Sequence, residues 1–194
     1  RLMPRMLPFD APLPRRPRRV LVAGVSGSGK TTFAARIARV LDAPHTELDS
    51  LFHGPGWMPR EQFPQDFRAL VAGETWTTEW QYPAARPLLI ARADLLVWLD
   101  LPFATVTLPR LVRRTVRRRL RHEVLWNGNV EPPLHTVFTD PEHVVRWAVA
   151  GRRKLHARVP TFEEDHPALT VVRLRSSQEI SVWLAGPLKR SLAS

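Results

Sequence analysis

Arg19-Val20-Leu21-Val22-Ala23-Gly24-Val25-Ser26-Gly27-Ser28-Gly29-Lys30-Thr31 joins three signals in one stretch. The apolar run Val20–Ala23, stopped by Gly24, predicts a short buried strand. Gly24 to Thr31 matches the pattern G-x-x-x-x-G-K-[ST]. Phe33, Ala34, Ile37, Ala38 and Leu41 then recur at helical spacing, so a helix opens directly behind the glycines. Strand, glycine loop and helix in this order form the context in which the pattern binds phosphate. The glycines let the loop curl so that backbone N–H groups face one anion. The helix points its N-terminus at the same place. Lys30 is expected to reach the β- and γ-phosphates of a nucleotide, and the Thr31 hydroxyl to bind Mg²⁺. The expected contacts of the loop are Gly24, Ser26, Gly27, Ser28, Gly29, Lys30, Thr31 and Thr32.

Strands and helices alternate through the rest of the chain. Short strands are predicted at 45–48, 75–78, 95–99 and 169–174. Helices are predicted at 60–72, 84–91, 103–124, 141–159 and from the last strand to about Leu184. This alternation implies βαβ units around a parallel sheet. Parallel sheets place ligands beyond the carboxyl ends of their strands, which singles out three acids. Asp100 ends the apolar run Leu95–Leu99, the pattern in which an Asp completes a Mg²⁺ site directly or through water; the plainer reading is a helix cap. Asp49 follows the second strand and would orient or deprotonate an acceptor hydroxyl, or cap the next turn. Glu79 ends the third strand, as an acceptor-side acid or as a member of a buried ion pair.

The 194 residues carry 29 Lys and Arg against 18 Asp and Glu, a formal charge of +11. Of the basic residues, 26 are Arg, the side chain suited to planar recognition of phosphate. Arg110, Arg113, Arg114, Arg117, Arg118, Arg119 and Arg121 crowd one predicted helix, and Arg146, Arg152, Arg153 and Lys154 the next. Six of the first group form one stripe, with Leu108, Leu111, Val112, Val116, Leu120 and Val124 on another. The two helices flank the loop 126–140, so they could close over a triphosphate; a solvated basic face and a nucleic-acid face are the other readings. Trp126, beside Asn127-Gly128-Asn129, could stack on a base or serve as core.

Cysteine is absent, which excludes disulfides, a thiol nucleophile and Cys-ligated metals. No apolar run reaches the roughly 18 residues of a membrane span and no apolar leader follows the N-terminus, so a cytoplasmic chain is expected. The five prolines among residues 1–18 predict a disordered basic arm ahead of a domain at 19–194. The pattern carries no signal of oligomeric state.

The ordered set Gly24–Thr31, Leu48-Asp49-Ser50-Leu51-Phe52, Gly54-Pro55-Gly56-Trp57 and Leu99-Asp100-Leu101-Pro102 resembles the adenylate-kinase-like P-loop kinases. More narrowly, it resembles their bacterial branch often labelled DNA topology modulation protein or adenylate kinase. The resemblance spans about residues 19–185. It implies a three-layer α/β/α P-loop NTPase fold with a five-stranded parallel sheet, an Arg-rich lid at about 113–153, ATP and Mg²⁺. It also implies a small-molecule phosphoryl acceptor: nucleotide, nucleoside or polar metabolite. By the same resemblance Lys30 is the P-loop lysine, Thr31 the metal ligand, Asp100 the acid of the hydrophobic-Asp-x-Pro motif, Arg113 and Arg117 the first lid arginines, and Arg152 or Arg153 those of the returning helix. The chain departs from the branch at Glu79-Trp80-Gln81-Tyr82, where Asp-Gly-Asn-Tyr is usual; Trp80 in place of Gly would reshape the acceptor pocket.

Overall fold

The strand that ends at Gly24 is the second strand, β2 (Arg19–Gly24), and its residues 20–23 are fully buried. The computed structural model describes residues 6–121, 124–125, 128–129 and 141–194. In chain order the strands are β1 (Met6–Leu7), β2, β3 (His45–Thr46), β4 (Trp76–Glu79), β5 (Leu95–Leu99) and β6 (Thr170–Leu174). All pair in parallel in the order β1-β6-β5-β2-β4-β3. The helices are α1 (Lys30–Leu41), α2 (Leu48–Phe52), α3 (Phe63–Ala72), α4 (Arg86–Arg92), α5 (Leu108–Leu120), α6 (Pro141–Arg158), α7 (Phe162–Asp165) and α8 (Ser177–Trp183). A π-helical turn, Phe103–Thr107, leads into α5.

Alternate residues of the strands feed two cores, one on each side of the sheet, because successive side chains point to opposite faces. Val20, Val22, Val97 and Leu174 pack with Phe33 and Ile37 of α1 and with Trp183 of α8. Leu21, Ala23, Leu96 and Val171 pack with Phe67 of α3, Leu89 of α4 and Leu155 of α6. The helical spacing predicted for α1 is met residue by residue: Phe33, Ala34, Ile37, Ala38 and Leu41 are its buried face.

Two expectations are corrected. The sheet has six strands, not five, because Met6 and Leu7 pair with Val171 and Val172. The described part of the expected disordered arm is also packed. Leu13 joins the core, the Arg16 guanidinium donates to the Leu41 carbonyl at 2.7 Å, and Arg15 lies 3.6 Å from Asp94. Prolines forbid helix here, but an edge strand needs few backbone donors and tolerates prolines beside it. The lid expected at 113–153 falls partly outside the described residues, as does Trp126.

Two local devices set the positions that matter for the site. Asp94 accepts from the backbone N–H groups of Arg18 and Arg19 at 3.0 and 2.9 Å and from the Arg19 guanidinium at 3.0 Å. It thereby locks the start of β2 beside β5. Partial burial works against its charge, but these donors outweigh that and hold the carboxyl below its ordinary value. The second device is steric. Gly27 has φ +81°, and a Cβ there would stand 2.7 Å from the Thr107 carbonyl oxygen and 2.9 Å from the Leu111 Cβ. The glycine loop therefore rests directly on the turn that begins α5.

Replacing Asp94 by Ala should lower the unfolding free energy by about 2 kcal/mol, the scale of hydrogen bonds to a charged group. A group held below its unfolded pKa stabilises the fold above that pKa and loses this contribution as pH falls through the folded value. The difference between wild type and Asp94→Ala in urea melts should therefore be full near neutrality and shrink below about pH 4. Gly27→Ala combines a left-handed φ with the clash on Thr107; it should cost about 2 kcal/mol or more in thermal melts.

Candidate active site

β2 ends between β4 and β5, so the loop after it opens at the carboxyl edge of the sheet. Gly27 and Gly29 are both left-handed, with φ of 81° and 86°. Gly29 sits at the N-cap of α1 with no side-chain cap, and the first turn of α1 carries no acid. Backbone donors and a helix N-terminus thus face one concavity, as an anion requires. Lys30 is half-buried at the first position of α1, Thr31 is half-buried and Thr32 exposed. Ser28 behaves differently from its neighbours: its hydroxyl is buried without a hydrogen-bond partner, folded back toward Gly24.

Five charged groups converge on this loop. Burial pulls the Lys30 ammonium below its ordinary pKa; Asp49 and Glu79 pull it up, and Arg114 and Arg86 push it further down. Both acids singled out in the sequence are therefore within electrostatic reach of the lysine, but they differ in kind. Glu79 is 0% exposed. Its Oε2 accepts from the Leu48 N–H at 3.3 Å, and its Oε1 lies 3.5 Å from His45 Nε2. Burial alone would raise its pKa, but the His45 and Leu48 contacts reverse the balance and keep it ionised. It is a buried support for the first turn of α2. Asp49, the next residue of α2, is half-buried. Its Oδ1 accepts from Gln81 Nε2 at 3.0 Å and from the Tyr82 hydroxyl. Neither bond uses Oδ2.

Tyr82 holds φ +59°, a strained value for a bulky residue. The strain sets the phenol between Asp49 and His53, whose Nε2 is 3.3 Å away, with Phe52 stacked on the ring at 4.5 Å. Burial, then the hydrogen bond and charge of Asp49, raise the phenol pKa, so Tyr82 stays a donor. Gln81, Tyr82 and His53 were not among the expected site residues. The one available signal was the departure at Glu79–Tyr82, which pointed to Trp80 instead.

The arginines are sorted by the helix. Leu111 of α5 packs against Gly27, and Arg114 and Arg118, three and seven residues on, lie on the same side and are half-buried. Arg113 and Arg117, the expected lid contacts, are exposed and line an open groove of about 690 Å³ with Leu108, Val112, Val116 and Leu120. On α6, Arg153 is exposed, and it is Arg152 that lies 3.9 Å from Asp100. In the described part of the lid, Asn129 is buried and donates to the Gly54 carbonyl at 2.7 Å, tying it to the loop after α2.

Asp100 follows β5 beside the loop, as expected, but its carboxylate is occupied. Oδ2 accepts from Arg173 Nε at 3.0 Å and from a second nitrogen of the same guanidinium, and Oδ1 lies 2.8 Å from His156 Nε2. Arg173 also stacks over Trp98 at 4.6 Å, and His156 meets that ring edge-on. This cluster ties α6 to β5 and β6. Among the described residues, no group of three or more His, Asp or Glu side chains could hold a metal ion. No helix among them is long and apolar enough to cross a membrane.

No protein-family model matches the chain, and no curated protein does. Solved structures do. A gluconokinase from Sinorhizobium meliloti 1021 superposes with a TM-score of 0.52 at 18% identity, over 92% of this chain and 96% of that one. A shikimate kinase from Acinetobacter baumannii matches with a TM-score of 0.49 at 16% identity, over 95% and 96%. A sugar kinase from Janibacter sp. HTCC2649 matches with 0.33 at 23% identity, over 69% and 97%. The likeness to the gluconokinase is one of fold, over nearly the whole of both chains.

Proposed function

We propose that the protein transfers the γ-phosphoryl group of ATP to a hydroxyl of a small polar acceptor. The observation that carries this is the convergence of Asp49 on Lys30 at the mouth of the glycine loop. The cradle fits a polyphosphate, with left-handed Gly27 and Gly29 and the uncapped start of α1. Gly24 through Thr32 would hold ATP, and the Thr31 hydroxyl would hold Mg²⁺. When bound, Mg-ATP supplies the phosphoryl group and neutralises part of its charge.

The chain's own residues have separable tasks. Lys30 places a positive charge where negative charge develops. Arg114, on the loop-facing side of α5, adds a second beside the lid arginines Arg113, Arg117 and Arg153. Asp49 takes the proton of the acceptor hydroxyl as its oxygen bonds to the γ-phosphorus and ADP departs. Gln81 and Tyr82 fix the orientation of that carboxylate through Oδ1. Glu79 fixes α2 beneath it. Asp100 anchors α6 through Arg173 and His156, and would complete the Mg²⁺ site directly or through water.

The electrostatic coupling of Arg114 to Lys30 favours phosphate over nucleic acid as the partner of the α5 arginines. The narrower adenylate-kinase-like reading rests on the Leu48–Phe52 and Gly54–Trp57 segments. The fold neighbour is named a gluconokinase, and a polyhydroxylated metabolite is accordingly the first acceptor class to try.

Transfer from γ-labelled ATP to a panel of nucleotides, nucleosides and polar metabolites should give a labelled product. Lys30→Ala should cut the rate by about 10²–10³-fold, the scale for one preorganised donor. Asp49→Asn should cut it by about 10²–10⁴-fold, the scale for general base catalysis. Tyr82→Phe should lower kcat about tenfold, by loss of one hydrogen bond to a charged group, and leave the KM for ATP unchanged. An Asp49→Asn enzyme with undiminished kcat would remove the assigned base.

A further inference from the structure

Arg86 stands beside this site in an unusual state. Its guanidinium lies over the Trp80 ring at 4.4 Å, and its Nε is buried with no hydrogen-bond partner. Among the described residues its side chain forms no hydrogen bond and no ion pair. Other half-buried arginines near the sheet do have carboxylate partners, Arg19 with Asp94 and Arg173 with Asp100. The two acids that act on Lys30 are engaged by other residues: Asp49 by Gln81 and Tyr82, and Glu79 by Leu48 and His45.

A second guanidinium, that of Arg158 at the end of α6, lies 6.0 Å from the same ring. The platform is rigid. The Trp80 indole is buried and packed edge-on against Phe162 at 5.2 Å. Two cations thus approach one indole ring, and among the described residues neither forms an ion pair. Burial and Arg158 together push the Arg86 pKa down. Partly desolvating a cation without a partner is costly, and a carboxylate or phosphate would relieve it with paired N–H donors in a geometry that suits guanidinium.

The position of Arg86 relates this anion site to the chemistry. Its backbone N–H donates to the Tyr82 carbonyl at 3.1 Å. The residue that orients Asp49 and the residue over Trp80 are therefore joined in one turn, four positions apart. Arg86 is also within electrostatic reach of Lys30. A hydroxyl at Asp49 and an anionic group at Arg86 would belong to a single small molecule.

We infer that the phosphoryl acceptor is a hydroxylated acid whose carboxylate or phosphate is bound by Arg86 on its Trp80 platform, with Arg158 adding to the positive potential. This rests on the kinase reading above and narrows it. The residue is a specificity determinant of the acceptor end, and the departure from Gly to Trp at position 80 supplies its platform.

The test uses matched pairs that differ in one charged group: D-gluconate and D-glucitol, D-glycerate and glycerol, glucose 6-phosphate and glucose, AMP and adenosine. Each is offered with Mg-ATP for transfer, and separately with ADP for equilibrium binding by calorimetry. The carboxylate pairs and the phosphate pairs separate the two sources of negative charge. The expected result is that one anionic class binds and is phosphorylated while its neutral twins are not. Arg86→Gln should raise the KM and the dissociation constant for that acid by roughly 10–100-fold, the loss of hydrogen bonds to a charged group, and leave the KM for ATP unchanged. Arg86→Lys, which keeps the charge over Trp80, should fall between; it carries the comparison should Arg86→Gln fail to fold in a thermal melt. Phosphorylation of neutral twins with equal kcat/KM would overturn the inference and leave the kinase reading intact. So would acid affinities that Arg86→Gln leaves within twofold. Arg86-dependent binding of an acid without any transfer would instead overturn the kinase reading and leave the anion site standing. Binding of none of the anionic compounds would overturn the inference.

Discussion

The seat of the glycine loop on the turn before α5 is the contact from which the rest of the site follows. β2 is flanked on both sides by parallel strands and buried on both faces, so its ladder must stop where the loop leaves the sheet. The freed backbone donors need a conformation that L side chains avoid, and Gly27 and Gly29 provide it. Gly27 is held there by the Thr107 carbonyl and by Leu111. The same contact fixes the rotation of α5 about its axis. With Leu111 facing the loop, a 3.6-residue period puts Arg114 and Arg118 beside it and turns Arg113 and Arg117 away. One steric constraint therefore decides both the shape of the glycine loop and which arginines of α5 face it.

Charge in the site is layered by depth. Glu79 is fully buried, and a carboxylate there survives as an ion because His45 and a backbone N–H surround it. Its task is to hold α2. Asp49, one residue past the Leu48 N–H that Glu79 accepts, is half-buried and keeps an oxygen outside the Gln81 and Tyr82 bonds. Arg86 and Lys30 are likewise half-buried, in the range where charge is strengthened by partial desolvation and still reachable by a ligand. The Asp100 cluster repeats the division on the other side of the loop: a nearly buried acid, 6% exposed, holds α6 through Arg173 and His156.

Much of the framework was legible because it rests on short-range patterns. Leu95–Leu99 reads as a strand because every residue of it is buried, and α1 because its apolar residues keep helical spacing. The strand β1 escaped because two residues among prolines show no period, and their pairing with Val171 and Val172 lies far along the chain. Asp49 and Glu79 read alike in sequence, as acids after strands. They separate once the sheet register buries one and the α2 turn exposes the other. The arginine stripe was visible, but its rotation was not, since that depends on what Leu111 packs against.

What the sequence alone determined is the set of local conformations: a glycine loop between a buried strand and an amphipathic helix, an alternating α/β order, and a store of acids and arginines for the edge of the sheet. Each follows from residue type and spacing within about twenty positions. What tertiary structure decided is which of those charges meet. Asp100 is engaged because Arg173, from a strand more than seventy residues later, reaches its Oδ2 while His156 of α6 lies against Oδ1. Arg86 becomes an anion site because Trp80 and Arg158 converge on it from different elements. Electrostatic roles depend on distance and burial, and those are properties of the packed chain rather than of its order.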